Sequence, residues 1–306
     1  MVRVSGRWKN SNATQVAYRT DSGVAYQSSI EAFAQSRFAR DLNRKVQLIM
    51  TSPPFPLSSP KEYGNQTGAE YKKWLVSVIQ DLVPLLKPSG SLVIEIGNAW
   101  NKGMPTMSTV PLETLLAIQE STGLYLCQQF IGNNPNRLPS PATYVNRERI
   151  RVKDSFTNIW WFGKKPRPYA DNRKVLNEYS PAMKRLLRTG KYNSGVRPSQ
   201  HQIGERTFLK DNGGSIPSSV LEFSGSTVDK TYQHWCKTQK LRQHPARMAE
   251  GIVEFYINFL SRPGDIVFDP FAGSNTTGAV AERLNRKWIS VEQNYDYLRG
   301  SIGRFS

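Results

Sequence analysis

Cysteine is nearly missing from this chain of 306 residues: only Cys127 and Cys236 occur, far apart and without Cys-x-x-Cys spacing. That excludes a disulfide framework and a thiolate zinc site. Histidine is as scarce, with His201, His234 and His244 and no His-Glu-x-x-His pair, so no metal site is expected. The Gly-x-x-x-x-Gly-Lys-Ser/Thr loop of P-loop nucleotidases is also missing. No apolar run approaches the roughly 18 residues of a membrane-spanning helix, and Met1 to Arg7 is not an apolar leader. A cytoplasmic protein with no membrane attachment is therefore the expectation. Acid is in short supply: 24 Asp and Glu stand against 41 Lys and Arg, a net charge of +17. A surplus of that size points to a polyanionic partner, nucleic acid ahead of an acidic membrane surface. The 38% of hydrophobic residues is too many for a disordered chain.

What is present is unevenly spread. Residues 1–163 hold 18 basic and 11 acidic side chains, residues 164–247 hold 17 and 6, and residues 248–306 hold 6 and 7. The middle is also poor in apolar periodicity and rich in Gly, Ser, Asn and Pro, as in Asp211 to Ser218. Both flanks alternate strand and helix signals. In the first, the expected strands are 46–50, 91–96, 124–130 and 157–162, with helices over 71–86 and 112–120. In the last, helices are expected over 246–260 and 276–284 and strands over 265–268 and 288–291. Such alternation favours a parallel sheet covered on both faces, its chain interrupted by an insertion.

Two stretches carry chemistry. In Phe268-Asp-Pro-Phe-Ala-Gly-Ser-Asn-Thr-Thr-Gly278, small residues between a strand and a helix let the backbone approach a ligand. Glu292 ends the next strand, where a nucleotide-binding fold puts the carboxylate that holds ribose hydroxyls. An ordinary tight turn followed by an unrelated acid is the plainer reading. In Thr51-Ser-Pro-Pro-Phe55, prolines end a strand and begin a rigid loop. If the task is methylation of an exocyclic amine, the Ser52 hydroxyl and a backbone carbonyl, that of Pro53, can accept the two N–H bonds and aim the nitrogen lone pair. Phe55 offers a flat face for an extruded base. Taken singly this is a proline-rich loop; beside a cofactor loop and a basic insertion it fits a nucleic-acid amino-methyltransferase.

Here the sequence resembles a family. Thr51 to Phe55 is similar to the catalytic motif of DNA amino-methyltransferases, Asp269 to Thr277 to their S-adenosylmethionine loop, and His244-Pro-Ala-Arg247 to the start of the helical motif before that loop. The order of motifs resembles the β-type circular arrangement, and within it the cytosine-N4 group. Leu138 to Pro141, Arg149 to Asp154, Asn158 to Phe162 and Lys210 to Pro217 extend the likeness over nearly the whole chain.

The resemblance implies an α/β fold: a Rossmann-like, S-adenosylmethionine-dependent methyltransferase sheet with permuted motif order and an inserted target-recognition region. Residues 1–163 are then the catalytic half, 164–243 the insertion and 244–306 the cofactor half. It implies that Ser52 and Pro53 engage the amine and that Pro54 and Phe55 shape the base pocket. Asp269, Pro270, Phe271, Ala272, Gly273, Ser274, Asn275, Thr276 and Thr277 would wrap the methionine part of the cofactor, with Glu292 on its ribose. Asn275 stands where the commonest form of the loop has Gly, and Tyr26-Gln-Ser-Ser29 lacks an Asp that many relatives place there. The implied partners are double-stranded DNA and, in a restriction-modification system, a restriction endonuclease.

Ring-carbon methylation needs a thiolate that adds to the ring, in the family pattern a Cys after Pro, and neither cysteine follows one. Cytosine N4 is chosen over adenine N6 by analogy, Ser being usual at position 52 in the cytosine group. A DNA-binding regulator with a vestigial pocket and an RNA amino-methyltransferase are the other classes. In the insertion, Arg167, Arg173, Lys174, Lys184, Arg185, Arg188, Lys191 and Arg197 are expected on phosphates. Arg147, Arg149, Arg151 and Lys153 alternate as on one strand face. Trp160 and Trp161 are expected to pack on the sheet, and His244 to be structural rather than a base.

Overall fold

The computed structural model of the chain describes residues 2–4, 13–56, 67–191, 195–196, 198–200, 202–204, 208–223 and 229–305. In chain order the strands are β1 (Arg3–Val4), β2 (Gln15–Arg19), β3 (Gly23–Gln27), β4 (Val46–Thr51), β5 (Leu86–Gly97), β6 (Tyr125–Asn133), β7 (Phe156–Gly163), β8 (Gly195–Val196), β9 (Gln202–Ile203), β10 (Val220–Glu222), β11 (Ile266–Asp269) and β12 (Lys287–Glu292). The helices are α1 (Ile30–Ala34), α2 (Arg37–Asp41), α3 (Gly68–Leu82), α4 (Val110–Thr122), α5 (Pro181–Thr189), α6 (Lys230–Thr238), α7 (Glu250–Leu260), α8 (Thr276–Arg283) and α9 (Tyr295–Ser301).

One sheet runs in the order β1-β2-β3-β12-β11-β4-β5-β7-β6-β10. Its centre, β3 to β5, is parallel. The flanks are mixed, with β10 parallel to β6 at one edge, which corrects the expectation of an all-parallel sheet. Strand β7 runs antiparallel to both β5 and β6, and β1, β2 and β3 form an antiparallel meander. The reason lies in the connections. A parallel partner requires a crossover, whereas β2 returns into β3 through a tight turn and β6 into β7 through a loop that reverses beside it.

Side chains alternate cleanly across the central strands. Ile49, Ile94, Phe268 and Trp160 join a core with Phe33 of α1, Leu75 and Ile79 of α3 and Ile118 of α4. On the opposite face Phe130 and Trp161 meet Tyr256 and Phe259 of α7 at ring separations of 5.4 and 5.1 Å. Both tandem tryptophans are thus buried in the sheet, one on each face, and Trp161 Nε1 donates to Ser91 Oγ at 2.9 Å. Helix α7 begins at Glu250, four residues later than expected, because Ala249 is extended at its N-terminus.

The chain divides into two compact units, one of residues 1–170 and 219–306, the other of residues 171–218. The second is narrower than the 164–243 stretch. Residues 220–222 add β10 to the main sheet, and α6 packs on α9, so those parts belong to the first unit. Within the second unit, Ser180 caps α5 by accepting from Met183 N, and Gly190 ends it in the left-handed region. Asn177 and Ser215 exchange backbone hydrogen bonds of 2.9 Å. Met183, Leu186 and Leu187 are half-buried, while Lys184, Arg185 and Arg188 are exposed. Arg173 and Lys184 are ion-paired with Asp171 and Glu178. Arg197 lies outside the described residues.

Candidate functional site

Strands β3, β12, β11, β4 and β5 all end at one edge of the sheet. The chain leaves β4 for β5 on one side and β11 for β12 on the other, so β4 and β11 flank the point where the winding reverses. Open α/β sheets bind ligands outside such a point. A crevice of about 540 Å³ opens there.

Asp269 forms its floor. The carboxylate is 2% exposed and accepts from Thr51 Oγ1 at 2.8 Å, Thr277 Oγ1 at 2.6 Å and Phe271 N at 3.1 Å. Burial pushes its pKa up to about 6 against those three bonds. One carboxylate therefore joins the loop after β4 to the loop after β11. Glu292, at the end of β12, accepts from Gly273 N at 2.8 Å and Asn294 N at 2.7 Å. Burial, with Asp269 adding repulsion, lifts its pKa to about 7.

The loop between them is bent by two residues of positive φ, Gly273 (52°) and Asn275 (56°). A Cβ at Gly273 would fall 2.9 Å from the His244 imidazole. Asn275 holds the left-handed angle in place of Gly and closes the helix behind it. Its Oδ1 accepts from Gly278 N at 3.0 Å and Ser290 Oγ at 2.6 Å, and its Nδ2 donates to Tyr18 Oη at 2.8 Å. Asn275 is fully buried and does not line the crevice, unlike the other nine expected cofactor residues. It supports the loop from behind.

Ser52, Pro53, Pro54 and Phe55 all line the same crevice. A Cβ at Gly97 would fall 2.5 Å from the Phe55 ring, so glycine at the end of β5 makes the seat for that ring. The Ser52 side chain acts on the Glu95 carboxylate, holding its pKa below where burial alone would put it. Glu95 also accepts from Thr157 Oγ1 at 2.9 Å, is 8% exposed, and has its pKa raised by burial. The Ser52 oxygen keeps two lone pairs to accept with, whichever way its proton turns.

Several side chains here escaped the sequence reading. Glu95 is one; its signal was a lone acid inside the apolar run Leu92 to Ile96. Glu31 lines the crevice and accepts from Trp74 Nε1 at 2.7 Å, near where an Asp was missed at 26–29. Trp74 stands 5.5 Å from the Phe271 ring, giving the crevice an aromatic wall. Arg304 is buried, donates to Ser274 O at 2.6 Å and pairs with Asp229 and Glu250. His244 lines the crevice edge-on to Tyr297, and burial lowers its pKa to about 4, so it is neutral at pH 7. The expected strand face at 147–153 is replaced by a helical turn, Thr143–Arg147, and an irregular return, with Arg149 at φ 58°. No cluster of metal-ligating side chains occurs among the described residues, and no described helix is long and apolar enough to cross a membrane.

The model of a family described as DNA methylase matches residues 46–302. The Type II methyltransferase M.PvuII of Proteus hauseri is 41% identical over 295 residues, covering 94% of this chain and 85% of that protein. The DNA adenine methyltransferase YhdJ of Escherichia coli (strain K12) is 48% identical over 61 residues, 20% of this chain and 21% of that one. Among solved structures, the PvuII DNA methyltransferase (cytosine-N4-specific) superposes with a TM-score of 0.74 at 35% identity, covering 94% and 87% of the two chains. The M1.HpyAVI–SAM complex shares the fold, with a TM-score of 0.56 at 20% identity and coverage of 92% and 98%.

Proposed function

The chain belongs to the DNA methylase family, and from that premise we propose that it methylates N4 of a cytosine swung out of double-stranded DNA. It is an S-adenosylmethionine-dependent DNA methyltransferase with a mixed α/β fold of the Rossmann-like type. The crevice fits that cofactor on its own chemistry. Its carboxylates, Asp269, Glu292 and Glu31, suit a cation bearing hydroxyls and an ammonium, Gly273 admits close backbone approach, and Trp74 and Phe271 flank a flat group. When bound, the cofactor supplies an electrophilic methyl group.

The observation that carries the reading is the meeting of Ser52, Pro53, Pro54 and Phe55 with Asp269 and Glu292 in one crevice, with Ser52 acting on the buried Glu95 carboxylate. An exocyclic amine is a weak nucleophile because its lone pair is delocalised into the ring. Ser52 Oγ accepts one amine hydrogen and the Pro53 carbonyl the other, which draws the nitrogen toward tetrahedral geometry. Phe55 stacks on the base and fixes its plane. After transfer the nitrogen is cationic and sheds its proton to Ser52 Oγ as the Ser52 proton passes to Glu95. The raised pKa of Glu95 makes it a better acceptor than an ordinary carboxylate. The nine crevice-lining residues from Asp269 to Thr277 and Glu292 hold the methionine and ribose parts, with Asn275 behind them.

The 171–218 unit, with exposed Arg185, Arg188 and Lys191, is assigned to target recognition, and the Type II name of the relative supports pairing with a restriction endonuclease. Wild-type protein incubated with labelled S-adenosylmethionine and duplex DNA, followed by nucleoside mass spectrometry, should yield N4-methylcytosine. Ser52→Ala should slow transfer roughly 100-fold or more at unchanged cofactor affinity. The similarity to an adenine methyltransferase makes N6-methyladenine the outcome that would overturn the choice of base.

A further inference from the structure

The two most exposed large apolar side chains among the described residues are Leu138 (82%) and Val152 (87%), and both stand on the loop between β6 and β7. Single exposed hydrophobics are ordinary on a protein surface. Leu138 is set apart by where its neighbours point. Strand β6 ends, and β7 begins, at the same sheet edge as the catalytic loop, with Asn133 opposite Phe156 and Gly97 opposite Thr157. Arg137 turns inward, donating to Phe156 O at 3.1 Å, and its charge acts on Glu95, the partner of Ser52. Adjacent residues of an extended segment face opposite ways, and Pro139 holds Leu138 extended. Leu138 therefore points into solvent one residue from a group in electrostatic reach of the catalytic carboxylate.

The loop around it is built to stay put and to meet a polyanion. Asn98 Nδ2 donates to Asp154 Oδ1 at 2.8 Å, Asp154 N to Ser140 O at 2.9 Å, and Lys153 Nζ to Pro135 O at 2.6 Å. Arg147 and Arg149 are exposed, and their side chains have no ion-pair or hydrogen-bond partner among the described residues, which leaves them for phosphates. Leu138 thus presents a rigid apolar knob among cations, at the rim where a duplex must lie for one base to enter the crevice.

We propose that Leu138 is a wedge that enters the base stack of duplex DNA and fills the space vacated by the extruded target base. The inference rests on the proposed methylation of a flipped base. Apolar side chains inserted between base steps are a general device for holding a duplex unstacked. Extrusion costs least where the base is unpaired from the outset, so a wedge should matter for a paired target and not for an unpaired one.

The test uses two duplexes carrying a site mapped by sequencing DNA that the wild-type protein has methylated. In one the target base is paired; in the other it faces an abasic residue. Single-turnover transfer by Leu138→Ala should fall about tenfold on the paired duplex, as expected from a loss of stacking contacts, and return to within about twofold of wild type on the abasic one. Val152→Ala, whose neighbour Arg151 is turned to Pro105 O, should behave as wild type on both. Equal loss on the two duplexes, no loss on either, or the paired-only defect at Val152 instead of Leu138 would each overturn the wedge. If the modified base proves to be adenine, only the choice of cytosine falls and the two duplexes still decide. If wild-type protein methylates neither duplex, the catalytic reading itself fails and the wedge with it.

Discussion

The two loops that meet in the crevice are made rigid by opposite means. The 269–277 loop is bent into left-handed angles and held by polar groups: Asp269, Asn275, Glu292 and Arg304. The 51–55 loop has one polar tie, Thr51 Oγ1 to Asp269, and is otherwise held by proline and by apolar contact, with Pro53 buried and Phe55 on Gly97, while Ser52 lines the crevice. The difference follows from what each faces. A small charged ligand needs carboxylates at fixed places, and buried carboxylates need donors. A flat base needs an unmoving apolar surface and few competing donors. The first loop should therefore respond to pH and to loss of single polar partners, the second to changes of volume.

Removing Arg304 should break this contrast most severely. Arg304→Ala leaves Asp229 and Glu250 without their buried partner and frees Ser274, so stability should fall by about 3 kcal/mol or more, read by chemical denaturation, with cofactor affinity lost in parallel. Gly97→Ala attacks the other loop. Displacing Phe55 should cost about 1–3 kcal/mol by overpacking and slow transfer, yet leave cofactor affinity within about twofold.

A gentler probe is pH. Glu292 has its pKa raised to about 7, so its carboxylate form grows between pH 6 and 8. Cofactor affinity should rise about tenfold across that window by titration calorimetry, from the ionised fraction alone, and Glu292→Gln should flatten it. The unliganded protein runs the other way: a raised acid pKa favours the fold below about pH 4.5, and that contribution is lost as pH climbs through 7. The smallest effect is expected outside both loops. Arg188→Ala should reduce the salt slope of DNA binding by about one and leave cofactor affinity alone.

How far the site was legible depended on how far apart its partners lie in the chain. The loops were readable because each is a short run at a strand end, and the parallel centre was readable from periodicity. Arg304 was not, since Ser274 and Asp229 are distant in sequence and nothing local marks their meeting. The same holds for Tyr18, which reaches Asn275 across more than 250 residues. Strands β2 and β3 were missed because each has five residues and the pair carries Gln15 and Gln27 at its end, too short and too polar for an apolar pattern. The reversed β7 could not be inferred from composition, which does not report direction.

The strand order also constrains how a ribosome can deliver this protein. Among the described strands, β3 has only β2 and β12 as neighbours, and β4 lies between β5 and β11. Residues 23–27 and 46–51 are made early, whereas the strands that fit between them are residues 266–269 and 287–292. Throughout most of translation the edge of β4 and the whole β1–β3 meander wait for partners not yet synthesised. Docking of the last two strands then completes the sheet and, through Thr51 and Asp269, the crevice in one late step. A nascent chain therefore cannot modify DNA until its final strands are in place.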